Sequence, residues 1–109
     1  MIARIWRGRT PADRSNDYLA FLERTGLREY RETEGNRGVL VLRRVGDEVA
    51  EFTLVTLWES MDAIRRFAGD DAERAKYYPE DPEFLLEMPP KVEHYEVAWQ
   101  DLDTGGASA

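Results

Sequence analysis

From Phe52 to Trp58 nearly every position is apolar, and Val39 to Arg43, shortly before it, is β-branched and apolar. The Gly46-Asp47 pair between them suits the positive-φ positions of a tight turn, so an antiparallel hairpin is expected. A strand with bulky residues on both parities has to bury both of its faces. Two further strands share that property. Ile2 to Arg9 places Ile5 on one parity and Ile2 and Trp6 on the other. Val92 to Trp99 sets Tyr95, Val97 and Trp99 against Val92, His94, Glu96 and Ala98. Because Ile5, Phe52, Leu54, Trp58, Tyr95 and Val97 do not all share one side, the sheet face left free by helices also needs cover. A homodimer formed by sheet-to-sheet packing would supply it.

The segments between the strands carry helix signals. Thr10 as N-cap, Pro11 at the first helical position and Asp13 as capping-box partner start a helix expected to run from about Pro11 to about Thr25. Tyr18, Leu19 and Leu22 lie on one face of it, Phe21 flanks that face, and Gly26 stands as a left-handed cap. Leu27 to Asn36 reads as a short helical turn followed by a loop. Ser60 caps a second helix through Met61, Ile64, Phe67 and Ala68, which Gly69 ends. Tyr77-Tyr78-Pro79 through Pro89-Pro90 is irregular and is expected to wrap the core as ordered chain. The order strand, helix, strand, strand, helix, strand is the split βαβ, or ferredoxin-like, α+β arrangement (βαββαβ), with one antiparallel sheet and both helices on one face. Residues 1–100 form a single domain, and 101–109 are expected to be a disordered tail.

Composition narrows the chemistry. The 109 residues hold 15 Lys and Arg against 22 Asp and Glu, a net charge of -7, so nucleic acid is not an expected partner. With no Cys and one His, thiol nucleophiles, disulfides, Cys-ligated clusters and His-rich zinc sites are excluded. Asp70, Asp71, Glu80, Asp81, Glu83 and Glu87 match no metal-binding loop and read as solvated surface, so no metal is expected. No Gly-rich phosphate loop and no nucleophile elbow is present. No apolar run approaches the ~18 residues of a membrane span, and Met1-Ile2-Ala3-Arg4 leads directly into patterned sequence. A soluble, cytoplasmic protein that does not engage membranes is expected.

His94 is the one side chain that titrates near neutrality unperturbed, which makes it the natural general base for a phenol; a half-buried strand histidine with a polar neighbour is the plainer alternative. Trp58 and Trp6 could wall a flat ring, or pack in the core. Tyr77 and Tyr78 could orient a ligand from the irregular segment, or anchor that segment. Arg4 and Arg7 interrupt an apolar strand. Turned into a pocket either would favour an anionic or phenolate ligand, whereas at a strand edge it would pair with a carboxylate.

Three stretches carry a resemblance. The opening Ile2-Ala3-Arg4-Ile5-Trp6-Arg7-Gly8, the strand end Leu57-Trp58-Glu59-Ser60 running into Met61-Asp62-Ala63-Ile64-Arg65-Arg66-Phe67, and the closing Val92-Glu93-His94-Tyr95-Glu96-Val97 resemble the antibiotic biosynthesis monooxygenase-like proteins of the dimeric α+β barrel superfamily. The resemblance spans nearly the whole chain. It implies two ferredoxin-like subunits pairing their sheets into a barrel, with a small apolar pocket in each between sheet and helices. It also implies oxidation of a small phenolic, polyketide-like aromatic by oxygen without metal, flavin or other cofactor. His94 would be the catalytic base, and Trp58, Trp6, Tyr77, Tyr78 and Arg7 would bind the substrate. A ligand-binding module without turnover and a non-oxidative cyclase or isomerase are the alternatives. The haem-cleaving branch is similar only in part. It carries an Asn in the first strand and a His on the helix after the third, where this chain has Arg4 and Arg7 and no His from Asp62 to Tyr78, so haem degradation is not the expected activity.

Overall fold

The structure, a computed structural model, describes residues 1–102. Residues 103–109, most of the expected tail, lie outside the described residues. Strands β1 (Ile2–Pro11), β2 (Asn36–Val45), β3 (Val49–Trp58) and β4 (Glu93–Glu96) form one sheet in the order β2-β3-β1-β4, with every neighbouring pair antiparallel. Helices α1 (Ser15–Arg24) and α2 (Gly26–Glu32) connect β1 to β2, and α3 (Met61–Ala68) follows β3. This is the ferredoxin-like α+β arrangement expected from the element order.

Parity assigns the faces. Arg4, Trp6, Gly8 and Thr10 of β1 and Ala50, Phe52, Leu54, Thr56 and Trp58 of β3 are all buried beneath the helices. The alternate residues form the open face, where Leu40, Leu42 and Tyr95 are about half exposed beside partly covered Ile5, Val55 and Leu57. The expected need for cover on a second face is therefore present in the monomer. Gly8 has a specific role on the covered face, because the Trp6 indole lies flat along the strand where a Cβ at position 8 would overlap it.

Several local expectations are corrected. Thr10 does not cap a helix: it pairs with Ala50 and is fully buried, since a residue before proline is biased toward extended backbone and prolongs the strand. After a 3-10 turn at Ala12–Arg14, α1 begins at Ser15 without a side-chain cap. Gly26 does not end the first helix in a left-handed conformation. The chain breaks at Thr25, whose Oγ1 donates to the Phe21 carbonyl at 2.7 Å, and Gly26 opens α2, a longer helix than the single turn expected. The hairpin is present, but Gly46 does not adopt positive φ. Its N–H donates to Val49 O at 2.9 Å across a three-residue turn, and Glu48 O accepts from Ala12 N–H. Strand β4 is half the expected length, with Trp99 81% exposed beyond it.

The second helix follows its signals. Ser60 Oγ accepts from Ala63 N–H at 3.2 Å, Ala63, Ile64 and Phe67 are buried, and Gly69 at φ +90° ends the helix. Residues 69–91 then wrap the core, a longer segment than the expected Tyr77 to Pro90. Ala75 N–H donates to Pro90 O, Val92 N–H to Glu73 O and Leu86 N–H to Arg9 O, with one 3-10 turn at Asp81–Glu83. Among the described residues no helix is long and apolar enough to cross a membrane.

Candidate functional site

Between the sheet, α1, α2 and the wrapping segment lies a cavity of about 30 Å³, close to the volume of one water molecule. Its floor is Arg4, Trp6 and Leu54. Tyr18, Leu22, Gly26 and Tyr30 come from the helices and Phe67 from α3, while Lys76, Tyr77, Tyr78 and Asp81 of the wrapping segment close it from outside. The even parity of β1 and β3 is what brings an arginine and an aromatic pair to one wall.

Arg4 is the unusual member. It is 2% exposed, one terminal nitrogen donates to the Arg74 carbonyl at 3.0 Å, and its guanidinium lies 5.5 Å from the Phe67 ring centre. Its buried Nε has no partner, and no carboxylate pairs with it among the described residues. Burial pushes its pKa down, yet an arginine stays charged at neutral pH. A strand contact beneath holds it in place: Trp58 Nε1 donates to Thr56 Oγ1 at 2.8 Å, and Thr56 Oγ1 donates to the Arg4 carbonyl at 3.3 Å.

The tyrosines form the opposite wall. Trp6 Nε1 donates to the Tyr77 hydroxyl at 3.1 Å, the two rings meet edge to face, and Tyr77 donates in turn to Pro89 O. The Tyr78 hydroxyl donates to Glu29, which also holds Lys76, and Tyr78 N–H donates to Asp81 Oδ2 at 2.6 Å. Burial raises the pKa of both Tyr77 and Tyr78, and the Glu29 contact raises Tyr78 further. Burial lifts Tyr30 to about 12 against the pull of the Arg4 charge. Burial also raises the Asp81 carboxyl. All three hydroxyls stay protonated at neutral pH, and of the charged groups in the lining Lys76 is balanced by Glu29 and the Asp81 carboxyl accepts from Tyr78 N–H, which leaves Arg4 without an ion-pair partner.

Of the expected site residues, Trp6, Tyr77 and Tyr78 come together here. Trp58 lies behind the wall, with no exposed surface, against Tyr30 and Phe67. His94 pairs with Arg4 across β1 and β4 on the covered face but does not line the cavity. Its buried Nε2 has no partner, and burial followed by the Arg4 charge lowers its pKa. Arg7 lies on the open face, exposed and paired with Glu93. The arginine facing the cavity is therefore Arg4, and the signal that separates the two was parity: Arg4 shares it with Trp6, Arg7 does not. A buried guanidinium without an acidic partner, among aromatic rings and hydroxyls, is suited to an anionic oxygen on a flat ligand.

Among the described residues no group of three or more His, Asp or Glu is placed to hold a metal, and no imidazole or thiol lines the cavity.

No protein-family model matches the chain, and no curated protein sequence matches it. Solved structures do. A candidate antibiotic biosynthesis monooxygenase from Bacillus cereus superposes with a TM-score of 0.62 at 16% identity, over 94% of this chain and 97% of that one. The heme-degrader MhuD from Mycobacterium tuberculosis, with two hemes in its active site, gives 0.61 at 20% identity over 93% and 99%. A single-residue variant of MhuD with two manganese protoporphyrin IX per active site gives 0.59 at 18% identity over 94% and 100%. Likeness over nearly the whole of each chain places this chain in the antibiotic biosynthesis monooxygenase-like fold.

Proposed function

We propose that the chain is a cofactor-independent monooxygenase that oxidises a small phenolic aromatic, with Arg4 holding the phenolate oxygen while Trp6, Tyr77 and Tyr78 hold the ring. The observation that carries this reading is the buried Arg4 guanidinium, which faces an aromatic cavity and makes no ion pair, the Asp81 carboxyl of the same lining being engaged by Tyr78 N–H. A phenolate is electron-rich enough to reduce oxygen directly. In the simplest case one oxygen atom becomes a ring carbonyl, the other leaves as water, and the substrate supplies all the electrons. Arg4 lowers the cost of forming the phenolate, and His94, kept neutral at pH 7 by burial and by the same arginine, is the proposed base.

The cavity at about 30 Å³ is too small for a ring, so entry requires the outer wall to move. That wall is the irregular segment around Tyr77 and Tyr78, held by side-chain contacts to Glu29, Trp6 and Pro89 more than by ladder hydrogen bonds, and a segment of that kind opens at low free-energy cost. His94 stands beside Arg4 across the β1–β4 pair, and as the base it would have to reach a ligand admitted by that opening. Two such subunits are proposed to pair through the open sheet face, covering Leu40, Leu42, Val55 and Tyr95.

The test is oxygen uptake with anthrone and hydroquinone substrates. Wild type is expected to consume oxygen, Arg4→Met to lose at least tenfold of that rate, and His94→Gln to shift its pH profile. Saturable binding without uptake would instead favour a ligand-binding module, and product formation without uptake a cyclase or isomerase. Added haemin is expected to leave its Soret band unshifted, and a shift would turn the reading toward haem.

A further inference from the structure

A second concavity of about 1140 Å³ lies outside the first, between the end of α3 and residues 69–91, and shares Phe67, Lys76 and Tyr77 with it as a common wall. Its charge is unlike that of the protein as a whole, because its rim carries Arg66, Arg74 and Lys91 in a chain of net charge -7. Arg74 and Lys91 face each other in an isolated antiparallel bridge, which sets two like charges directly opposite one another. Like charges in opposed positions repel, and an anion bound between them would relieve that repulsion. Both side chains are exposed, and neither pairs with a carboxylate among the described residues, although Asp71 and Glu73 stand on the same rim. The Arg74 carbonyl also accepts from buried Arg4, so one residue joins the two sites: its backbone holds the cavity's cation and its side chain faces the outer groove.

We infer that the groove binds an anionic substituent, carboxylate or phosphate, of the same ligand whose ring enters the cavity. The inference rests on the function proposed above and specifies the substrate class as a phenolic aromatic with an acidic arm. Arg74 and Lys91 hold the arm, Tyr77 and Phe67 mark the passage between the two sites, and Arg4 receives the phenolate at the far end.

The test compares 2-naphthol, 6-hydroxy-2-naphthoate and a hydroxynaphthyl phosphate, with inorganic pyrophosphate as a probe lacking a ring. Each is titrated calorimetrically into wild type and into the double variant Arg74→Gln, Lys91→Gln, which leaves the Arg74 carbonyl in place. Wild type is expected to bind one of the acidic naphthols at least roughly tenfold more tightly than 2-naphthol, the size of a charge-assisted contact, and the double variant to lose that advantage while its 2-naphthol affinity is unchanged. Whichever acidic probe gains more identifies the arm as carboxylate or phosphate. Equal affinities in wild type, or an advantage that survives the double substitution, would overturn the groove and leave the ring site standing. Should no naphthol bind, the ring reading fails. Pyrophosphate then decides the groove alone, with saturable binding lost in the variant supporting it and no binding sinking it.

Discussion

On the covered face of β1, Arg4 is 2% exposed, lies among aromatic rings and has no carboxylate beside it; on the open face, three residues later, Arg7 stands in water and pairs with Glu93. The surroundings differ in the same way along the sheet. Phe52, Leu54 and Trp58 fill the covered side to closure, whereas Leu40, Leu42 and Tyr95 on the other side remain half exposed next to Arg9–Glu87 and Arg44–Glu51 ion pairs. Exposed pairs of that kind contribute little to folding. A buried cation without an acid costs stability. The contrast separates a covered face that closes around a cation from an open face that leaves apolar side chains half exposed.

The largest expected effect breaks the covered side. Phe52→Ala should lower unfolding free energy by about 3–5 kcal/mol, whereas Leu42→Ala in the monomer should cost far less, as urea titration of both would show. Equal losses would mean that the open face is as fully packed as the core. Next is the arginine pair. Arg4→Met removes an uncompensated charge while filling its space, so it should raise stability by about 1–4 kcal/mol while abolishing phenolate binding; Arg7→Met should leave the melting temperature within error. A destabilised Arg4→Met would show that the guanidinium is a structural member of the core, and the functional reading would lose its main support.

The open face is tested by Leu40→Glu with Leu42→Glu. Light scattering should find dimers of the wild type at micromolar concentration and monomers of the variant, with little change in monomer stability. Wild-type monomers would leave the half-exposed residues without the proposed cover. The smallest effect concerns His94. Its folded pKa lies below the unfolded value of 6.5, so between the two the unfolded chain binds more protons. The stability that His94 contributes is complete above pH 6.5 and is lost as pH falls through its folded pKa. His94→Gln should flatten that part of a stability-against-pH curve, and an unchanged slope would place the titration elsewhere.

Which features could be read from the sequence depended on the range of the interactions behind them. The hairpin, the Ser60-capped helix and the two-faced strands were readable because each depends on side-chain period and local capping, which act over a few residues. The start of α1, the break at Thr25 and the turn at Gly46 were not. Thr10 has good cap chemistry, but strand pairing with Ala50 across 40 positions of chain overrode it. Trp6, Tyr77 and Tyr78 meet in one cavity, although nothing local brings a first-strand indole to a tyrosine 71 residues later.

By itself the sequence determined the element order, the alternation that gives the sheet two different faces, the absence of thiol chemistry and the presence of arginines within an apolar strand. These follow from composition and from periods of two and 3.6, which every segment carries within itself. Only the tertiary structure decided which face the helices cover, and with it that Arg4 rather than Arg7 meets the aromatic wall, that Trp58 lies behind that wall, and that Arg74 and Lys91 stand opposite each other. Those outcomes depend on contacts between segments far apart in the chain. Their energies come from burial and charge proximity, which exist only once the segments have packed.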